Sequence, residues 1–288
     1  MKGTSCEIAV LQHVDEMLAF STKCRNENRV IGFVPTMGAL HEGHLSLIAK
    51  AKASCDVVIC SIFVNPTQFN DPKDLLLYPR TEESDIALLK EAGCDVVFVP
   101  TVSAIYPEGQ MVADYNFGTL TSEWEGRFRP GHFNGVITVV KRLFEIVLPH
   151  KSFFGKKDFQ QFSVIREWVK RGEIEVDIIG CDTIRSYDGL ALSSRNKRLS
   201  AEQATMATAF SKALMFIQEN KQNNNVKALI EGATELFIKK EQIELQYFTV
   251  ANSETLEPLE NINEANHQVV LIAGFIGGVR LIDELELN

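Results

Sequence analysis

The sequence has no uncharged apolar run as long as the roughly 18 residues that a membrane-spanning helix needs, so we expect no membrane contact. Its first ten residues, MKGTSCEIAV, also lack the apolar core of a secretory signal. The six cysteines are scattered without a CxxC pair, a pattern typical of free thiols in a reducing compartment. These absences together predict a cytoplasmic protein.

Positive charge is scarce as well. The 29 Lys and Arg residues are outnumbered by 38 Asp and Glu, and the formal net charge of -9 argues against non-specific nucleic-acid binding. Any anionic ligand must therefore meet locally clustered Lys, Arg or His. Two metal and phosphate motifs are also missing. There is no GxxxxGK[ST] loop, and HEGH places its histidines three residues apart, whereas zinc-binding HExxH places them four apart.

The sequence does contain alternating strand and helix signals. Apolar residues recur at helical spacing in 82–92, 136–148 and 158–170. The strand signals are nearly continuous β-branched or aromatic runs, as expected of strands buried on both faces, and they lie at 29–34, 56–64, 95–100, 151–155 and 174–181. This alternation predicts a parallel, doubly wound α/β sheet.

The pattern changes after residue 181, and a length of 288 residues is enough for two domains. Helical patterns near 200–220 and 226–240 flank an Asn-rich loop. Two strand-like runs, IELQYFTV and HQVVLIAGF, follow them. We therefore expect a small α+β domain from about residue 184 onward.

PTMGALHEGH, residues 35–44, follows the first predicted strand. Gly38 permits a turn, and Gly43 allows close backbone approach because it has no Cβ. If a helix begins around residues 41–43, His41 and His44 share a face and point with the helix N-terminus towards one anion. The alternative is an ordinary connection with solvated histidines. Two histidines around a glycine, at the carboxyl end of a strand, favour the anion site.

The next predicted strand ends in NPTQF, residues 65–69. Asn65 and Gln68 have amide side chains that both donate and accept, which suits a substrate with hydroxyl and carboxylate groups. A proline turn that merely closes a strand would have the same composition, so this motif alone decides little.

The fourth predicted strand ends in GKKDFQQ, residues 155–161. Lys156 and Lys157 are either surface charges or phosphate contacts. Asp158 is a candidate N-cap, and Gln161 lies one turn inside the following helix. Because carboxyl ends of parallel strands share one sheet edge, this motif should meet the other two there.

The segment LALSSRNKRLS, residues 190–200, stands at the predicted domain boundary. Arg195 offers a bidentate fork for a phosphate, and Ser193 and Ser194 add hydroxyl donors. The segment is either a solvated loop before a helix capped by Ser200, or a hinged flap that closes over a ligand.

These motifs are more specific in combination. HxGH after the first strand, with a basic SSR loop after the last, is similar to nucleotidylyl-transfer proteins, including class I aminoacyl-tRNA synthetases. Over nearly the whole chain the sequence resembles the pantothenate synthetase (pantoate–β-alanine ligase) family. The resemblance depends on PTMGALHEGHLSLI, VNPTQF, YPRT (78–81), RPGHFNGVITVV (129–140), FGKKDFQQ and LSSRN (192–196), in the family's order and approximate spacing.

The resemblance implies a Rossmann-like domain at 1–183 and a smaller α+β lid domain at 184–288. It implies that ATP, pantoate and β-alanine are the substrates and that the chain forms a homodimer. In the family, pantoate attacks the α-phosphate to give pantoyl adenylate and pyrophosphate, and β-alanine then displaces AMP. Mg²⁺ is expected with the triphosphate, held largely by phosphate and water oxygens. The resemblance assigns it no protein ligand, and Asp85, beside YPRT, is a guess.

The resemblance also implies roles for individual residues. His44 would be the principal catalytic donor, with His41, Lys157 and Arg195 beside it, and Gln68 and Gln161 would bind pantoate. The ATP-binding set would be Met37, Gly38, Ala39, Leu40, His41, Glu42, Gly43, His44, Gly155, Lys156, Lys157, Asp158, Ile184, Leu192, Ser193, Ser194 and Arg195. Leu192 departs from the family, which has methionine there, and His132 is left outside the site.

Two other functions fit parts of the pattern. A nucleotidylyltransferase that keeps the nucleotide in its product would have HxGH, but it gives no reason for NPTQF and GKKDFQQ together. A nucleotide-binding sensor without catalysis would be expected to lose the basic donors, and His41, His44, Lys157 and Arg195 are all present. Both comparisons favour the ligase.

Overall fold

The structure is a computed structural model that describes residues 8–239 and 243–287, apart from residues 108, 110 and 111. Its first part is built on a parallel sheet of six strands in the order β1-β4-β3-β2-β5-β6. The strands are β1 Ala9–Leu11, β2 Ile31–Thr36, β3 Val57–Ile62, β4 Val96–Phe98, β5 Lys151–Gly155 and β6 Asp177–Cys181. The expected α/β fold with a parallel sheet is confirmed.

Strand β1 is absent from the sequence-based prediction. It has three residues, pairs with β4, and leaves Val10 42 % exposed at the sheet edge. The apolar run IAVL at 8–11 is too short for periodicity to distinguish a strand from part of a helix. The other five strands coincide with the five predicted runs, within a few residues at their ends.

Helices cover both faces of this sheet. One face packs mainly against α1, α8 and α9, and the other against α2 and α4. The helices are α1 Val14–Asn26, α2 Glu42–Lys52, α3 Pro72–Leu77, α4 Glu82–Glu91, α5 Val102–Ile105, α6 Thr119–Ser122, α7 Glu125–Phe128, α8 His132–Val147 and α9 Phe159–Arg171. Helix α8 begins earlier than its apolar pattern indicates, because Gly131 in a left-handed conformation starts it at the polar residue His132.

The C-terminal part is a three-stranded antiparallel sheet, β7-β8-β9, with two helices. Its elements are α10 Ala201–Asn220, α11 Val226–Ala233 continued by a π-helical turn at Thr234–Ile238, β7 Glu244–Asn252, β8 Gln268–Ile276 and β9 Val279–Leu287. The prediction recognised β7 and β8 but not β9. The sequence does contain a signal for β9, because the dipeptide Gly277-Gly278 is typical of a two-residue hairpin turn. In the structure both glycines have positive φ and connect β8 to β9.

The two parts share apolar packing. Some side chains of the C-terminal sheet pack with α10 and α11, whereas others, including Tyr247, Val269 and Leu271, belong to the same cluster as α1, α8 and α9. No helix among the described residues is long and apolar enough to cross a membrane.

The topology places one crevice at the carboxyl edge of the parallel sheet. From β2 the chain proceeds through β3 to β4 on one side, and β5 and β6 lie on the other side of β2. Connections from β2 and β5 therefore diverge, which is the arrangement in which open α/β sheets bind ligands. The loop after β2 contains HEGH, and the turn after β5 contains GKKD.

We expect Gly135→Ala to lower the free energy of unfolding by about 2 kcal/mol or more, because overpacking against fixed backbone is destabilising. A Cβ at Gly135 in α8 would lie 2.3 Å from the carbonyl oxygen of Thr67. Urea unfolding measures the effect. Gly232→Ala in α11 is the matched control, since its Cβ would meet only the Phe216 side chain at 3.3 Å. Equal stability of the two variants would contradict this account of how α8 supports the NPTQ turn.

Candidate active site

A buried carboxylate holds the loop between β2 and α2. Asp85 accepts hydrogen bonds from the backbone N–H groups of Ala39 and Leu40, both at 2.8 Å, and from the Thr81 hydroxyl. Gly38 and Ala39 both have left-handed φ, so the loop turns sharply towards the helix. Asp85 is 1 % exposed and its oxygens bond to the loop, which speaks against the Mg²⁺ role considered for it.

His41 and His44 cap the helix that follows. His41 is the N-cap of α2, and its Nδ1 accepts the Gly43 N–H at 3.1 Å. In turn, His44 Nδ1 accepts a hydrogen bond from the His41 N–H at 3.3 Å. The ring centroids lie 4.1 Å apart. This reciprocal capping fixes both rings at the mouth of the crevice.

Both imidazoles are neutral. Burial, with the nearby charges of Lys157 and Lys197 in addition, lowers the pKa of His41 to about 4. Burial, followed by His41 and the same two lysines, lowers the pKa of His44 to about 3. Because each Nδ1 accepts a backbone N–H, the single proton of each neutral ring is on Nε2. The pair therefore presents two N–H donors.

A cleft of about 210 Å³ opens where the three predicted motifs converge. It brings together fourteen of the residues that the sequence analysis proposed for the site. They are Met37, His41, Gly43, His44, Gln68, Gly155, Lys157, Asp158, Gln161, Ile184, Leu192, Ser193, Ser194 and Arg195. They come from the loop after β2 with the start of α2, from the turn after β3, from the end of β5 through the start of α9, and from the segment after β6.

Five proposed residues are not among the described residues that line this cleft. Gly38, Ala39 and Leu40 form the loop held by Asp85, so they shape the site through the backbone. Glu42 is exposed on the first turn of α2. Lys156 forms ion pairs with Glu286 of β9 and, at 3.5 Å, with Asp182.

The cationic side chains of the cleft have carboxylate partners. Lys157 lies 3.6 Å from Asp158. Arg195 and Arg198 each lie 2.9 Å from one oxygen of Asp74 in α3. Asp74 therefore connects the SSRNKR segment to α3.

The Gln68 side chain is oriented by neighbouring amide and sulfur atoms. Asn65 is buried, and its Nδ2 donates to Gln68 Oε1 at 3.1 Å and to the Gly135 carbonyl at 3.2 Å. Asn65 Oδ1 accepts from the Tyr106 hydroxyl at 2.8 Å, which sets the amide orientation. Gln68 Nε2 then donates towards Met37 Sδ at the cleft.

The backbone of Gln68 is held by the RPGHF motif. Its carbonyl lies 2.9 Å from His132 Nδ1 and accepts from Arg129 at 3.2 Å. Burial, followed by the charge of Arg129, lowers the pKa of His132 to about 3. His132 is thus not among the described residues that line the cleft, but it contacts the backbone carbonyl of Gln68 directly.

The sequence analysis missed one whole wall of the cleft. Val136, Val139, Val140 and Leu143 of α8 form an apolar surface, and the buried Tyr78 also lines the cleft. The four α8 residues had been recognised at helical spacing, but periodicity alone cannot separate a face that packs in the core from one that lines a pocket. Thr183 and Asp182, after β6, also line the cleft without having been proposed.

Fold and cleft together define a class: a doubly wound α/β protein whose switch-point crevice contains an HxGH motif and a basic segment. Within that class, the chain belongs to the pantoate–β-alanine ligase family. The family model described as Pantoate-beta-alanine ligase matches residues 9–286.

Named relatives agree over almost the full length. A pantothenate synthetase of Porphyromonas gingivalis is 43% identical over 277 residues, covering 96% of this chain and 98% of the relative. One of Bacteroides fragilis is 40% identical with the same coverage. One of Cytophaga hutchinsonii is 44% identical over 263 residues, covering 91% of this chain and 93% of the relative.

Solved structures share the whole architecture. Pantothenate synthetase from Thermus thermophilus superimposes with a TM-score of 0.90 at 40% identity, covering 97% of this chain and 99% of that chain. The Francisella tularensis pantoate–β-alanine ligase, described as complexed with beta-gamma ATP and β-alanine, gives a TM-score of 0.82 at 36% identity. That alignment covers 97% of both chains.

We expect the rings of His41 and His44 to stay neutral in the ligand-free protein from about pH 8 down to about pH 5.5, because burial disfavours the imidazolium. Imidazole chemical shifts followed by NMR across this range measure the protonation. His44→Gln and His41→Gln variants assign the two signals. An inflection near pH 6.5 in either signal would contradict the neutral pair.

Proposed function

We propose that this chain condenses pantoate with β-alanine, cleaving ATP to AMP and pyrophosphate through a pantoyl-adenylate intermediate. One observation supports this most strongly. The paired Nε2–H donors, Lys157, Arg195 and two glutamine amides line a single cleft that is apolar on one side. Such a cleft can hold a triphosphate and a small hydroxy acid next to each other, and family membership supplies the matching reaction.

In the first step, a carboxylate oxygen of pantoate forms a bond to the α-phosphorus of ATP. The bond from that phosphorus to the bridging oxygen breaks, and pyrophosphate leaves with the electron pair. Negative charge accumulates on phosphoryl oxygens, so preorganised donors contribute more than an acid–base pair. We assign that role to His44, His41, Lys157 and Arg195, with the Ser193 and Ser194 hydroxyls beside them. Neutral histidines suit it, since Nε2–H donates without giving up its proton.

In the second step, the β-alanine nitrogen forms a bond to the acyl carbon of the adenylate. The carbon–oxygen bond to AMP breaks, AMP leaves with the electron pair, and the proton that the nitrogen loses as the amide forms passes to solvent. An acyl adenylate exposed to water would hydrolyse, so the reaction needs a closed cleft. Asp74 of α3 bonds to both Arg195 and Arg198, so it holds the SSRNKR segment beside the cleft that must exclude water.

Pantoate has a polar edge and two methyl groups, and the cleft offers a counterpart for each. Gln68 and Gln161 would hydrogen-bond its hydroxyl and carboxylate groups. The apolar face of α8, with Val139, Val140 and Leu143, would contact the methyl groups. We assign Gly155, Lys157, Asp158, Thr183 and Ile184, here termed the nucleotide wall, to ATP.

We propose that Mg²⁺ enters as Mg·ATP. Among the described residues, no cluster of three or more His, Cys, Asp or Glu side chains forms a metal site of its own. Asp158 and Asp182 are cleft-lining carboxylates, the hard oxygen donors that Mg²⁺ prefers, and either fits an ion otherwise bound by phosphate and water oxygens. When bound, the ion would neutralise phosphate charge.

Two further proposals concern the state of the enzyme. The family resemblance supports a homodimer. The thiols of Cys24, Cys55, Cys60, Cys94 and Cys181 are free, which supports a reducing compartment and hence the cytoplasm.

The test is product formation from Mg·ATP with pantoate, with and without β-alanine, followed by mass spectrometry. We expect pantoate-dependent pyrophosphate release, and turnover to AMP and pantothenate only when β-alanine is added. His44→Gln serves as the control for contaminating enzymes and should lose most of the first step. Retention of AMP in the product would instead identify a nucleotidylyltransferase, and ATP binding without either product would identify a sensor.

We expect Gln68→Ala to raise the KM for pantoate about tenfold or more, because hydrogen bonds to a charged substrate contribute roughly 1.5–3 kcal/mol each. The KM for ATP should stay within about twofold. Steady-state kinetics with each substrate varied in turn measures both. The control is Gln203→Ala on α10, whose side chain caps its own helix. Equal losses for pantoate and ATP would remove Gln68 from its assigned role.

A further inference from the structure

Three carboxylates on β9, an edge strand of the C-terminal sheet, bond to segments that form or border the nucleotide wall. Asp283 and Glu284 are buried, with 4 % and 5 % exposure, and Glu286 is partly exposed. None of the three is among the described residues that line the cleft. Each of them nevertheless holds a residue that lines the cleft or is adjacent in sequence to one that does.

Glu284 is connected to the cleft by one hydrogen bond to a residue that lines it. The Thr183 hydroxyl donates to Glu284 Oε1 at 2.5 Å, and Thr183 is part of the nucleotide wall. Thr183 lies just beyond β6, between the cleft residues Asp182 and Ile184. The Glu284 carboxylate therefore fixes the position of the segment that follows the last parallel strand.

Glu286 bonds to the turn after β5, which also contributes to the nucleotide wall. It pairs with Lys156, which also lies 3.5 Å from Asp182. Lys156 stands between Gly155 and Lys157, both of which line the cleft. Because the Lys156 side chain is bound to β9, this pair ties the turn after β5 to the C-terminal sheet while Lys157 faces the cleft.

Asp283 is the third of these β9 carboxylates. Arg185 forms a bidentate pair with it, at 2.6 and 2.8 Å, and also donates to the Glu284 carbonyl at 2.9 Å. Arg185 pairs with Ala191 in an isolated bridge, and Leu192 follows directly at the cleft. The three carboxylates thus hold the turn after β5, the segment after β6 and the start of the SSR segment.

We propose that Glu284 is a positioning residue for ATP, acting through the Thr183 hydroxyl, with Glu286 supporting the same wall through Lys156. The proposal rests on the proposed function, which assigns this wall to the nucleotide. Pantoate should be little affected, because Gln68 is held by Asn65, Arg129 and His132 of the first part. The C-terminal sheet would then set ATP affinity without touching ATP.

ATP affinity should depend on the hydrogen bond between the Thr183 hydroxyl and the Glu284 carboxylate for two reasons. Without the Glu284 carboxylate, the Thr183 hydroxyl loses its acceptor and must find another one within the cleft, where it competes with the bonds that bind ATP. A loosened wall also costs affinity, because part of the binding free energy is then spent on ordering it.

The test compares Glu284→Leu with Glu284→Gln in the full-length protein. Leucine has similar volume but no acceptor, whereas the glutamine amide oxygen can still accept from Thr183. Calorimetry with a Mg·ATP analogue that cannot be cleaved gives Kd, and steady-state kinetics gives both KM values. We expect Glu284→Leu to weaken analogue binding about five- to tenfold, with Glu284→Gln within about twofold of the parent and pantoate KM unchanged. Glu244→Leu, exposed on β7 of the same sheet, is the matched control and should bind normally.

A double-mutant cycle separates positioning from a general structural effect. If Glu284 acts through Thr183, adding Glu284→Leu to Thr183→Val should cause no further loss of analogue binding. Losses that multiply would overturn the proposal. So would an unchanged Kd in Glu284→Leu, or equal rises in the KM of ATP and pantoate.

Two outcomes are separated by design. If the parent protein binds the analogue but releases no pyrophosphate with pantoate, the proposed function fails, while the Kd values still decide the role of Glu284. If the parent does not bind the analogue, both proposals fail. Should Glu284→Leu not fold, Glu286→Gln at its partly exposed position and Thr183→Val replace it. Each should weaken analogue binding about threefold or more, and normal binding by both would overturn the proposal.

Discussion

Strands β2 and β5 lie side by side, and the chain continues from them to opposite sides of the sheet. The crevice between their carboxyl ends is therefore a consequence of the topology and needs no special residues to open it. The motifs that line the cleft all lie around that crevice. The HEGH loop leaves β2 on one side, and the GKKD turn leaves β5 on the other. The NPTQ turn after β3 and the segment after β6 extend it in two directions.

Rigidity in this cleft comes from polar groups that are satisfied inside the protein. The loop after β2 has left-handed backbone at Gly38 and at Ala39, where a side chain makes that conformation strained, and Asp85 bonds to the N–H groups of Ala39 and Leu40. His41 and His44 then satisfy each other's end of α2 through their Nδ1 atoms. The same bonds that stabilise the helix start also fix the tautomer, so structure and chemistry here depend on the same atoms.

Formal positive charge enters the cleft mainly through Lys157 and Arg195, and each has a carboxylate neighbour. Since the net charge of the chain is -9, these local cations must offset an unfavourable background when an anionic substrate approaches. The contacts between the first part and the C-terminal sheet are apolar at the shared cluster and ionic at β9 and Glu125. Glu125 is buried and pairs with Arg280 of β9, so the two parts are joined by directional bonds as well as by packing.

The sequence alone determined the α/β class, five of the six parallel strands and the three motifs at the cleft, because continuous β-branched runs and strand-end motifs are local signals. The same reading could not find β1, which is too short to have a period, or the α8 wall, whose valines look like core residues until their neighbours are known. It could not predict that Asp85 hydrogen-bonds to the loop after β2. Nor could it predict that Lys157 lines the cleft while Lys156 pairs with β9, or that Glu284 accepts a hydrogen bond from Thr183. Those outcomes depend on contacts between residues distant in the chain, 101 positions apart for Glu284 and Thr183, which only the packed structure brings together.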